Sequence, residues 1–196
     1  MMTVIVKGTG VAKDVKQRMV ETAAFALARK GLQGASFSEV LAASGAPRGS
    51  LYHHFPGGKD ELVLDAIDAA AAYALDALGE RRGRPAAEIA EAFVALWRAV
   101  LERSEFAMGC AIAAVTVASQ QPDQLDRAAR SFAAWQTRLA ELLSAGGVPA
   151  ERAPNLAALL IATCEGGVVL ARAERGFGAF DRATGEALAL VRAVSV

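Results

Sequence analysis

Apolar residues recur three and four positions apart along almost the whole chain, the period of an α-helix rather than of a strand. Met19, Ala23, Ala26 and Leu27 mark the inner face of a first helix running from Lys13 to Lys30. A short helix follows from Ser36, whose hydroxyl caps the backbone while Glu39, three residues on, completes a capping box; Val40 and Leu41 supply its buried side. Gly45 stands where a helix end needs left-handed dihedrals, and Pro47, with fixed φ and no amide donor, suits the start of the next helix. That second short helix turns Leu51 and Phe55 inward, four residues apart. Two short helices meeting across a tight glycine turn form a helix-turn-helix.

The pattern continues with a long helix from Lys59 to Leu78 and a charged breaker from Gly79 to Pro85. Ile89, Phe93, Leu96, Trp97, Val100 and Leu101 then repeat at helical spacing. An apolar helix is predicted from Phe106 to Ser119. Pro122 opens another, carrying Leu125, Phe132, Trp135, Leu139 and Leu142 to a stop at Gly146-Gly147. Two final helices are predicted from Pro154 to Arg175 and from Asp181 to Val194. The predicted fold is all-α with about nine helices, without strands or internal repeats.

Opposite Leu51 and Phe55, the second short helix presents Gly49, Ser50 and His53, with Arg48 at its N-terminal edge. This small, polar surface allows close approach to a duplex. Ser50 and nearby amides suit phosphate oxygens, Arg48 can reach guanine O6 and N7, Tyr52 offers a phenolic donor at the groove margin, and Lys59 a point charge for the backbone. Charge changes the picture in the same direction. The 196 residues carry 21 cationic and 21 acidic side chains, but through Asp60 eight cations face four acids, so a basic N-terminal segment sits on an acidic remainder. Electrostatic docking to phosphate needs that asymmetry.

These residues resemble the signature of TetR-type one-component transcriptional repressors. The resemblance begins at Arg18-Met19-Val20-Glu21-Thr22-Ala23-Ala24, passes through Lys30-Gly31 and Gly34-Ala35-Ser36-Phe37, and continues to Lys59-Asp60-Glu61-Leu62. It implies DNA-contacting positions at Ser36, Ser38, Arg48, Gly49, Ser50, Tyr52, His53 and Lys59. The chain departs from the pattern at Pro47, where many members cap the recognition helix with Ser or Thr, and at Pro56-Gly57-Gly58, one residue longer than usual. Ala46-Pro47-Arg48-Gly49-Ser50, Gly109-Cys110-Ala111-Ile112-Ala113 and Glu165-Gly166-Gly167 are similar to the branch controlling lincomycin-resistance and flavonoid-dioxygenase genes. The layout implied is a helix-turn-helix DNA-binding domain with an N-terminal arm over residues 1–58, then a ligand-binding and dimerisation domain over 59–196.

Tyr73, Phe93, Trp97, Phe106, Met108, Phe132 and Trp135 lie on helices of that second part, and small neighbours leave room for an apolar effector cavity. For any single one of these residues plain core packing is the favoured reading; it is the set together that suggests a cavity. Gln136, Thr116 and Glu165 would supply its polar edges, and Cys110 is placed in its lining. Glu165 interrupts an apolar run, and a lone buried carboxylate is costly; an effector anchor and an ion pair with Arg172 are both open readings. Leu156, Leu159, Leu160, Gly166, Gly167, Leu170, Leu188 and Val191 make a smooth face on the last two helices, predicting a homodimer whose paired reading heads meet a palindromic operator.

Other chemistry is poorly represented. His53 and His54 are adjacent on a helix, about 100° apart, and cannot share an ion. Cys110 and Cys164 read as reduced, buried thiols. No cofactor loop, metal set or nucleophile-base pair is present, so no cofactor is expected, and the rival reading of a helical enzyme or carrier has no chemistry to rest on. No targeting segment and no membrane-length apolar run is recognised, which predicts a cytoplasmic protein with no membrane partner.

Overall fold

Helical periodicity carries through into helices, and every regular element among the described residues is one. The structure, a computed structural model, describes residues 14–34, 36–47, 49–79 and 81–195. The N-terminal arm and Arg48 lie outside the described residues. The elements are α1 (Val15–Gly34), α2 (Phe37–Ser44), α3 (Ser50–His54), α4 (Gly58–Gly79), α5 (Ala86–Arg103), α6 (Ala111–Ala118), α7 (Pro122–Ala145), α8 (Ala153–Glu174) and α9 (Gly178–Val194). α1 is interrupted at Gly31, where the backbone turns left-handed.

Local chemistry explains α2 well. Ser36 Oγ accepts the Glu39 amide at 3.3 Å. Lys30, whose ammonium donates to the Glu39 carboxylate at 2.7 Å, holds that carboxyl below its ordinary range, and the Ser36 backbone contributes in the same sense. Gly45 closes α2 at φ 67°, a conformation glycine adopts without penalty. α3 begins later than Pro47 suggests. Ser50 donates to the Pro47 carbonyl through both its amide (3.0 Å) and its hydroxyl (2.6 Å), and the helix spans only the five residues Ser50–His54.

Met19, Leu27, Val40, Leu51 and Phe55 are buried together and continue into Leu62, Val63, Ala66 and Ile67 of α4. α1 thereby packs on α2, α4 and α6, while α4 packs along α7 and α8 runs against α7, α9 and α5. Main-chain carbonyls of α1 and α4 also accept hydrogen bonds from the remainder of the chain. The Gly109 amide donates to the Ala28 carbonyl of α1 at 2.8 Å, and the Trp135 indole of α7 donates to the Ala71 carbonyl of α4 at 3.0 Å.

The helix predicted from Phe106 to Ser119 is shorter than its apolar run. Glu105 and Phe106 adopt left-handed φ of 51° and 61°, and α6 starts at Ala111, where the Cys110 thiol caps it by accepting the Ala113 amide at 3.4 Å. Apolarity in 106–110 reports burial, not helicity: Met108 and Cys110 are in the core although the backbone there is irregular. α8 is also more apolar than expected, and it alone among the described helices is long and apolar enough, by length and composition, to cross a membrane. Its buried face serves α5, α7 and α9, and an apolar strip remains on the surface.

Candidate nucleic-acid interface and effector region

Phe55 and Leu51 pin the inner side of α3, which forces Tyr52 and His53 outward. Tyr52 is 71% exposed, its ring set edge-on to Phe37 of α2 at 6.2 Å between centroids. Gly49 is open, with nothing within 4 Å of where a Cβ would stand. Ser36 and Ser38 share a hydroxyl contact at 3.1 Å at the start of α2. The Ser50 hydroxyl spends its proton on Pro47 and keeps its acceptor capacity. Lys59 is partly buried, its ammonium donating to the Leu32 carbonyl at 3.2 Å. An ammonium has three donors, so two are left for a phosphate.

A polar latch, not foreseen from the sequence, joins this reading unit to α7. The Gln124 amide donates to the Asp60 carboxylate at 3.0 Å, and its carbonyl accepts the Ser119 hydroxyl at 2.8 Å. Eight residues further along α4, Asp68 pairs with Arg127. Gln124 and Ser119 are buried, which is where a hydrogen bond matters most because water cannot replace it. The available signal was a Ser and a Gln beside Pro122 on the apolar side of a helix start.

In the C-terminal part, Phe93, Trp97, Trp135 and Phe132 form a chain of edge-to-face contacts with centroids 5.6–6.5 Å apart. Phe93, Trp97 and Trp135 are buried and Phe132 is half-buried. Phe106 belongs elsewhere, in a tilted ring contact with Phe177 at 4.9 Å between centroids. Tyr73 is 42% exposed and Gln136 is exposed, so neither reaches the ring cluster; each lies on the solvent side of its helix. Met108 and Cys110 are buried. The cluster has one defect. The Trp97 indole N–H is buried with no acceptor among the described residues, an arrangement that costs roughly 1–3 kcal/mol in a sealed core.

Glu165 makes no ion pair with Arg172 among the described residues, which corrects that reading. The Arg172 guanidinium instead lies over Gly109, 3.1 Å from where a Cβ would stand, and Glu165 takes its hydrogen bond from the Cys110 thiol. Its other oxygen is buried and unpartnered. Burial pushes the Glu165 carboxyl from 4.5 to about 7, with the thiol contact opposing. Burial and the nearby Glu165 charge push Cys164 to about 12 and Cys110 well above its ordinary value, so both stay as unreactive thiols.

A carboxyl that holds its proton more tightly in the fold favours folding at low pH, and that advantage disappears as pH rises through about 7. The stability of Glu165→Gln relative to wild type should therefore be greater at pH 8 than at pH 5, by about 2–3 kcal/mol. Urea titrations at the two pH values test this; an equal difference at both contradicts it.

The predicted dimer residues divide. Leu156, Leu160, Gly167 and Val191 are buried within the chain itself, Gly167 beneath the Phe180 ring, and are unavailable to a partner. Leu188 is half-buried, whereas Leu159, Gly166 and Leu170 stay exposed and are joined by Val169 (67% exposed) and Leu190.

Comparison with known proteins bears on the whole chain. Residues 20–66 match the family described as bacterial regulatory proteins, tetR family, and residues 86–186 match the LmrA/YxaF-like transcriptional regulator C-terminal domain. An uncharacterised HTH-type transcriptional regulator of Mycobacterium tuberculosis is 37% identical across 85% of this chain and 88% of its own. The HTH-type transcriptional regulator LmrA of Bacillus subtilis is 25% identical across 80% of this chain and 86% of its own. The crystal structure of a TetR transcriptional regulator from Chloroflexus aurantiacus superposes with a TM-score of 0.75 at 26% identity, covering 91% of this chain and 94% of that one. A helix-turn-helix joined to an all-helical C-terminal part defines a DNA-binding transcriptional regulator rather than an enzyme. The chain belongs to the TetR family, with a C-terminal domain of the LmrA/YxaF-like kind.

Proposed function

We propose that the protein is a homodimeric repressor of the cytoplasm, released from a palindromic operator by a small, largely apolar or aromatic effector. Residues 1–58 read DNA, and residues 59–196 bind the effector and dimerise. The observation that carries the reading is the outward face of α3: a five-residue helix, anchored only from inside, that leaves Tyr52, His53 and Gly49 exposed. Ser36, Ser38 and Ser50 with Lys59 hold phosphates, and Arg48 reads a guanine. Two buried polar atoms, Trp97 Nε1 and Glu165 Oε1, support the effector half, since each has bonding capacity unused among the described residues. The exposed strip of Leu159, Gly166, Val169, Leu170 and Leu190 supports a two-fold pair.

Repression and release are linked through α1 and α4. A ligand acts only by preferring one of two conformations, so effector and operator must weaken each other reciprocally. α1 and α4 touch the effector region directly, through Gly109 to Ala28 and through the Asp60 and Asp68 latch to α7.

Selection of a binding site from random oligonucleotides by the dimer tests the reading; an unenriched pool overturns it. On the selected site, Arg48→Ala is expected to cost about 1–3 kcal/mol and to relax preference at one base pair. Lys59→Ala is expected to weaken operator and random DNA alike and to lower the salt slope by about one. Equal losses on both DNAs for Arg48→Ala refute its role as a base reader.

A further inference from the structure

Three consecutive side chains in the first turn of α4 fasten it in three directions. The Lys59 ammonium donates to the Leu32 carbonyl near the end of α1 at 3.2 Å. Glu61 turns back, its carboxylate accepting the Gly57 amide at 2.8 Å. The Gly58 amide closes the same link on the Phe55 carbonyl at 3.0 Å, so the end of α3 moves with this turn. Those bonds stay within the reading unit. Of the three side chains, Asp60 alone bonds outside it, to Gln124 in the first turn of α7.

Gln124 is 2% exposed, and both ends of its amide are committed. Ser119, the residue that ends α6, accepts the Gln121 amide at 3.0 Å through its hydroxyl and donates that hydroxyl's proton to the Gln124 carbonyl at 2.8 Å. A carboxylate can only accept, so the Gln124 nitrogen is the end that meets Asp60, at 3.0 Å. The two partners therefore impose the same orientation on the amide. One buried side chain thus joins the end of α6, the start of α7 and the start of α4. An amide buried this far has no water to turn to when a partner is lost.

A five-residue helix cannot hold its own direction, and a surface that must be ordered on binding loses affinity by the cost of ordering it. We propose that Gln124, far from the reading face in sequence, is a positioning residue for DNA reading: its bond to Asp60 holds the first turn of α4, and α3 with it, in the pose that meets the duplex. The inference rests on the repressor reading for its consequence at the operator; the fastening of the reading unit to α7 does not depend on that reading.

Hydrogen exchange of the full-length protein, followed by mass spectrometry, tests the fastening without DNA, and titration with the selected operator tests its use. Gln124→Leu keeps the bulk of the side chain and removes the amide. Exchange is expected to quicken about tenfold over residues 49–62 while α8 and α9 stay as in wild type. Operator affinity is expected to fall about tenfold, and affinity for random DNA less than about threefold, because the cationic side chains are unchanged. Swapping the partners separates the bond from folding. Gln124→Glu sets two carboxylates against each other and should behave like Gln124→Leu. Asp60→Asn should stay near wild type, since its amide can turn a carbonyl to Gln124. Added to Gln124→Glu, Asp60→Asn should restore both protection and affinity, because the new carboxylate then accepts from Ser119 and from the new amide together.

Unchanged exchange over 49–62 in Gln124→Leu overturns the proposal. So does faster exchange spread evenly through the chain, faster exchange at 49–62 with operator affinity intact, or a double variant no better than Gln124→Glu. Wild-type protein that selects no DNA sequence, while Gln124→Leu still quickens exchange over 49–62, counts against the repressor reading and leaves the fastening in place.

Discussion

Phe55→Ala is expected to remove sequence-specific DNA binding by collapsing the reading unit, at a cost of about 3–5 kcal/mol. Phe55 is fully buried, ends α3, and lies under Lys16 of α1, whose ammonium is 5.2 Å from its ring centroid. A helix of five residues has no stability of its own, because its few internal hydrogen bonds cannot offset the ordering of the chain. Its orientation therefore depends on two side chains, Leu51 and Phe55. Against a total stability of roughly 5–15 kcal/mol for a whole protein, the loss is large, and it falls on the small N-terminal unit. Circular dichroism during urea unfolding, alongside gel shifts on the selected site, measures both effects. A loss below about 1 kcal/mol, or normal DNA affinity, shows that α3 is held by something else.

Gly146→Ala is expected to be the most damaging small substitution in the C-terminal part. A Cβ there would stand 2.6 Å from the Ala86 nitrogen and 2.8 Å from the Arg84 carbonyl oxygen. Both are main-chain atoms, so no rotamer change relieves the overlap. The Gly146 carbonyl also accepts the Ala86 amide at 2.8 Å, fixing the end of α7 to the start of α5. A cost of about 2–3 kcal/mol follows from forced backbone displacement. Gly185→Ala is the control. Nothing lies within 4 Å of its Cβ position on α9, and the better helix former is expected to add about 0.5–1 kcal/mol. Chemical denaturation of the two variants should move in opposite directions.

Where a residue type has one strong local meaning, the sequence was legible. Ser36 caps, Gly45 turns left-handed, Pro122 opens α7 and Gly146 ends it, and each does so because the backbone requirement is met within a few neighbouring residues. The start of α3 was misread because Ser50, not Pro47, supplies the donors that close the turn. The 104–110 turn was misread because periodicity reports which side is buried and is silent on a break whose partners come from α1 and α8. Sites fared unevenly for the same reason. The exposure of α3 follows from its own spacing, but Glu165 could not be assigned from its neighbours in sequence, since its partner Cys110 is 55 positions away on another element. Half of the predicted dimer face is core because a small, smooth stripe on a helix suits a neighbour in the same chain as well as one in another.

The bond from Gly109 to Ala28 is made entirely by main-chain atoms. Ordinary side-chain replacement at either position leaves its donor and acceptor intact, and only proline at 109 deletes the donor. Under the proposed effector-release function, descendants of such a chain are free to exchange the residues that choose a molecule while inheriting the connection that reports it, so diversification of the signal need not reinvent the wiring.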